Sequence, residues 1–167
     1  MAGEAIRFDL HATPDTRVLS FATSRMARNV DDMSSLFEEF DPLFQAAMSR
    51  QFTSQGGYGA GGWAALSPAY RAWKVKHGFP GTIGVLHGHL RASMTGGPGY
   101  TVEITNRTAS YGLGGGPATE YGHYFDRGGS GPARPVIRMP QTEGREWGKV
   151  AHKWISSQAR KSGWGSL

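Results

Sequence analysis

Met33, Leu36, Phe37, Phe40, Leu43, Phe44, Ala47, Met48 and Phe52 recur at three- and four-residue steps. Such a stripe is one face of a helix, and it has to be buried against something. No other part of the chain carries apolar periodicity over such a length, so this helix must organise the rest. Pro42 interrupts it. Asp41 as N-cap with Pro42 in the first turn would begin a fresh helix there; the alternative is a single long, kinked helix. Gln55-Gly56-Gly57 marks its end.

The remaining segments are shorter. Ile6, Phe8 and Leu10 alternate with polar residues, which predicts a half-buried strand. Thr13-Pro14-Asp15-Thr16 supplies a turn and Val18 to Ala22 a returning strand, so 5–23 reads as a hairpin. Ser67-Pro68 predicts a capped helix over 69–76. Ile83, Leu86, Leu90 and Met94 suggest a short helix or turn. Tyr100, Val102 and Ile104 alternate, and 108–113 is the expected hairpin partner across Asn106-Arg107. A short aromatic helix is expected over 119–125. Trp147, Val150, Ala151, Trp154 and Ile155 define a C-terminal amphipathic helix, followed by a loose tail at 161–167. No βαβ alternation occurs. The expected class is α+β, in one domain over 1–167: a small antiparallel sheet packed against one long helix and a C-terminal helix, with extended Gly-rich loops.

Composition narrows the chemistry. The 167 residues include no cysteine, which excludes disulfides, thiolate metal sites and cysteine nucleophiles. The opening MAGEAIRFDL has no basic stretch leading into an apolar run, so no secretory leader is expected, and the Asn106-Arg107-Thr108 sequon carries no weight. No apolar run is long enough for a membrane span. Eighteen Lys+Arg against 13 Asp+Glu give a net charge of +5, which permits work near a polyanion without demanding it. Twenty-five glycines cluster at 56–62, 96–99, 112–116 and 128–131, as in loops that need freedom or positive φ.

Candidate catalytic groups do not assemble into a set. His87 and His89 could chelate a metal only from extended backbone and with a third ligand, His77 or His123. Glu38, Glu39 and Asp41 fall on the polar side of the helical stripe. Asp31 and Asp32 suit a helix N-terminus. Gly56 to Gly62 lacks the Gly-Lys-Ser/Thr of a phosphate loop. Tyr111, Tyr121, Tyr124 and Phe125 beside Arg127 could stack bases, but aromatic clusters more often build a core or a subunit contact. The chain reads as no enzyme and needs no cofactor or metal. A hydrolase using His87, His89 and His123 is one rival, and a DNA-binding module using Arg25, Arg28, Lys74 and Lys76 is another.

An ordered series of short motifs adds a more specific reading. It runs from Trp63-Ala-Ala-Leu-Ser67 with Lys74 following, through Leu86-His-Gly-His-Leu90-Arg-Ala-Ser93. It continues with Tyr121, Gly122, Tyr124, Phe125 and Gly128, and ends at Pro132-Ala133-Arg134-Pro135. This series, spread over 33–158, resembles the phage virion-morphogenesis family of tail-completion or head–tail joining proteins. Three departures stand out. The Leu86 motif is one residue short of the family spelling, and the histidine expected after Tyr121 is replaced by Phe125 or shifted to His123. The segment 5–23 has no counterpart in the family core.

The resemblance implies a non-catalytic virion protein, assembled in the host bacterial cytoplasm, that forms a ring at the neck. Six subunits are what it suggests. A tail terminator or a connector of the same neck is the neighbouring alternative. Partners would be other copies of the chain and the adjoining connector or stopper, tail terminator and tail tube, with contact to genomic DNA in the channel left open. The contact residues expected are Pro132, Arg134, Pro135, Tyr121, Tyr124, Asp126 and Trp63. Proline fixes φ and keeps its predecessor extended, so Pro132 and Pro135 should hold a stiff corner. Arg134 would anchor that corner against 121–126, with Asp126 its candidate partner, either as an internal brace or as a subunit contact.

Overall fold

The structure is a computed structural model that describes residues 16–59, 61–114, 117–129 and 131–164. Eight elements follow in order: α1 (Thr16–Asp31), α2 (Ser34–Thr53), α3 (Pro68–Lys76), α4 (His89–Ala92), β1 (Tyr100–Ile104), β2 (Ala109–Leu113), α5 (Pro117–Arg127) and α6 (Gln141–Lys161). The class is α+β, as the periodicities indicate.

The apolar stripe forms one helix, α2, which passes through Pro42 without restarting. One N–H of its first turn is met from outside, since the Asp32 carboxylate accepts from the Ser34 N–H at 2.9 Å; the Ser34 hydroxyl, and then this N–H, hold the Asp32 carboxyl below its ordinary pKa. Phe44, Ala47, Met48 and Phe52 turn inward and meet Trp63, Leu90, Met94, Ala118 and Val136 in one core. β1 and β2 are antiparallel, with Val102 opposite Tyr111, and they close on α2. Phe44 stacks on both Tyr100 and Tyr111, while the Tyr111 hydroxyl donates to the Phe37 carbonyl at 2.6 Å.

α6 runs antiparallel to α2. Glu143, near its start, pairs with Arg50 at 2.6 Å, and the Trp154 indole donates to the Ser35 hydroxyl at 2.9 Å. α1 meets α6 at the latter's C-terminal end, where Asn29 donates to Ser162 at 3.0 Å. Its last residue, Asp31, is ion-paired with Arg107 in the turn between the strands.

Among the expected elements, the N-terminal hairpin fails. Residues 18–22 are not the returning strand of a hairpin; they lie inside α1. Ala22 is buried, with Met26, Asn29 and Val30 partly covered, so the covered positions follow helical spacing. Val18 to Ala22 is an apolar cluster too short for its period to be read, and Pro14-Asp15 suits a helix start as well as a turn. The expected strand at 6–10 lies outside the described residues, as do the last three residues of the tail expected over 161–167; the start of that tail is not loose, since Lys161 ends α6 and Ser162 is buried and bonded to Asn29.

Part of the first glycine run is explained by close packing. Gly56, at φ +85°, sits where a Cβ would fall 2.4 Å from the Trp63 ring. At Gly59 a Cβ would lie 2.0 Å from the Arg138 carbonyl oxygen. Among the described residues no helix is long and apolar enough to cross a membrane.

Candidate functional site

The proline corner is built into the body of the fold through its backbone. The Arg134 N–H donates to the Phe125 carbonyl at 2.9 Å, and the Val136 N–H donates to the Asp126 carboxylate at 2.8 Å. The Pro135 carbonyl accepts twice, from the Trp63 indole at 2.8 Å and from the Gln51 amide at 3.1 Å. The same Gln51, fully buried in α2, accepts from the Gly59 N–H at 3.0 Å. Fixed φ at Pro132 and Pro135 keeps this strap extended, so its N–H and C=O groups point sideways into neighbours instead of bonding along the chain.

The Arg134 guanidinium lies over the Phe125 ring, 5.7 Å from its centroid, and donates to the Ala64 carbonyl at 2.8 Å and the Ala65 carbonyl at 3.3 Å. Its partner is therefore not Asp126. That carboxylate is occupied by the Val136 N–H, and carbonyls from a segment seventy residues earlier take its place at Arg134.

Trp63 is likewise not a surface contact residue. It is 7% exposed and set edge-on between Phe52 and Phe125. The Pro132, Tyr121 and Tyr124 side chains face outward, the two tyrosines 40% and 59% exposed. With Tyr70, Phe125 and Arg134 they line a shallow depression over the corner. Beside it opens an apolar cavity of about 350 Å³, walled by Leu66, Val85, Leu86, Leu90 and Phe125. The Tyr121 hydroxyl accepts from the Leu90 N–H at 3.1 Å, which ties α5 to α4 across the cavity mouth. All seven residues singled out from the sequence thus belong to one neighbourhood. Five of them make bonds or contacts that hold it together: Trp63, Tyr121, Asp126, Pro135 and Arg134.

Gln51 was missed, although a lone amide between Met48 and Phe52 in an apolar stripe signals a buried polar role. The Ala64 and Ala65 carbonyls leave no such signal.

The rival sites separate in space. Lys74 is 2% exposed, and its ammonium donates to the Thr82 and Val85 carbonyls, each at 2.7 Å. Burial lowers its pKa, and it is not available to a phosphate backbone. His87 and His89 lie with ring centroids 5.9 Å apart, while His123 lines a different depression with Met94 and Asp126. Among the described residues no three His, Asp or Glu side chains group as metal ligands. Glu38 and Glu39 are exposed on α2.

No family model matches the chain, and neither a curated protein nor a solved structure matches it.

Proposed function

We propose that the chain is a structural protein of a tailed-phage virion, forming a ring at the head–tail neck and performing no covalent chemistry. The order of the motifs from Trp63 to Pro135 suggests it, and one observation carries it furthest. The Pro-Ala-Arg-Pro corner is braced internally at its backbone while Pro132, Tyr121 and Tyr124 stay exposed beside it. A rigid rim of proline and tyrosine meets a partner with little entropy left to lose, and tyrosine contributes large contact area with few rotatable bonds. Other copies of the chain would occupy this rim in a ring, six by the family resemblance. The connector or stopper, the tail terminator and the tail tube would sit above and below, and genomic DNA would pass through the channel.

Native mass spectrometry of the purified full chain tests the reading. A closed oligomer is expected, and Tyr124→Glu should reduce it to monomer with unchanged far-UV circular dichroism. A wild-type chain that stays monomeric at micromolar concentration, or a Tyr124→Glu oligomer of unchanged mass, would overturn it.

A further inference from the structure

α6 carries Arg145, Lys149, His152, Lys153 and Arg160 on one exposed side. At 3.6 residues per turn these positions fall within an arc of about 100°, and the line from Arg145 to Arg160 is about 22 Å long. The opposite side of the helix is committed to the fold: Glu143 binds Arg50, Trp147 stacks on Phe40, and Trp154 binds Ser35. Glu146 is the one acidic residue beside the row, and it reaches Lys149 at 2.6 Å. Glu38 and Glu39 on the adjacent α2 make no ion pair with it among the described residues. Arg25 and Arg28 are exposed on α1, whose Asn29 bonds Ser162 where α6 ends.

We infer that this face of α6 is a docking surface for the phosphate backbone of duplex DNA. Two features favour that partner. The row is straight and rigid, and a duplex offers negative charge just as regularly, about one per 1.7 Å of axis. A helix that binds an anionic membrane inserts an apolar face, and here that face, Ile155 apart, is turned into the protein. The surface differs from the patch that the sequence suggested, because Lys74 is withdrawn into the interior and Lys76 stands apart on α3, whereas α6 gathers its exposed cations in one row. The inference rests on the neck reading only in identifying the duplex as the genome in the channel.

Fluorescence anisotropy of a labelled 20-base-pair duplex, titrated with the full-length chain between 50 and 200 mM salt, tests it. Four cations neutralising four phosphates give a slope of about −3.6 in log K against log salt, or about a 150-fold loss of affinity over that range. The triple variant Arg145→Gln, Lys153→Gln, Arg160→Gln should retain a slope of about −0.9, a loss of about 3-fold. Lys76→Gln, on α3, should match wild type. Absence of duplex binding by wild type at 50 mM salt would overturn the inference. So would a folded triple variant with the wild-type slope, or heparin binding as tight as that of the duplex. The wild-type slope decides the matter even if the triple variant fails to fold. A monomer with the expected slope would sink the ring and keep this surface; a ring without salt dependence would do the reverse.

Discussion

The Pro135 carbonyl is the point at which the proline corner is fastened to the core, and a double-mutant cycle there measures the fastening. It accepts from both Trp63 and Gln51, at 2.8 and 3.1 Å. Trp63→Phe removes one donor, for about 1 kcal/mol, and leaves a small cavity between Phe52 and Phe125, for about 1 kcal/mol more. Gln51→Met keeps the volume but removes the other donor, and it strands the Gly59 N–H that bonds the Gln51 oxygen at 3.0 Å. Its cost should be about 2–4 kcal/mol. Either single variant leaves the carbonyl with one partner. The double variant leaves it with none, so it should lose about 1 kcal/mol beyond the sum of the singles. Urea unfolding followed by circular dichroism provides the four stabilities, provided the m-value is constant across the set. Additivity within about 0.3 kcal/mol would refute the reasoning, because it would mean that the two side chains do not share the carbonyl.

Other expectations come from single positions. Gly59→Ala puts a Cβ 2.0 Å from the Arg138 carbonyl oxygen and should cost more than about 2 kcal/mol in urea unfolding, whereas Gly144→Ala, in open space on α6, should stabilise by about 0.5–1 kcal/mol. Burial, and then the hydrogen bond to Asp41, raises the Tyr100 hydroxyl above its ordinary value of 10.0. The folded state therefore favours the protonated phenol, so this contribution is complete below about pH 10 and is lost as pH rises further; Tyr100→Phe should flatten the alkaline fall in urea midpoint between pH 9 and 11, and an unchanged fall would count against the assignment. Lys74→Met leaves the Thr82 and Val85 carbonyls without a donor and should cost about 2 kcal/mol or more, while the salt dependence of DNA binding stays at the wild-type value.

The parts of this fold that the sequence discloses are those whose period is long enough to be unambiguous. The stripe from Met33 to Phe52, the alternation at 100–104 and the Trp147–Ile155 spacing each repeat their pattern several times, and they became α2, β1 and α6. Ser67-Pro68 was legible for a local reason, since a hydroxyl before a proline is a capping arrangement; Ser67 does accept from the Tyr70 N–H, at 3.2 Å. Val18 to Ala22 was misread because five apolar-rich residues fit either period. The corner was legible as stiff, because proline acts on its own dihedral. What it is fastened to was not, because the Ala64 carbonyl and the Gln51 amide reach it only once the chain has folded back over long separations. Lys74 looked like a surface cation beside Lys76. Its burial depends on residues 82–85 folding over α3, which no local pattern announces.

The claim at the centre of this account is that the chain acts as a ring in a virus particle. Immunogold labelling of purified tailed particles with antibody against this chain tests it most directly. The account predicts label confined to the junction of head and tail. Particles that carry no label, with the chain left entirely in the soluble fraction, would contradict it.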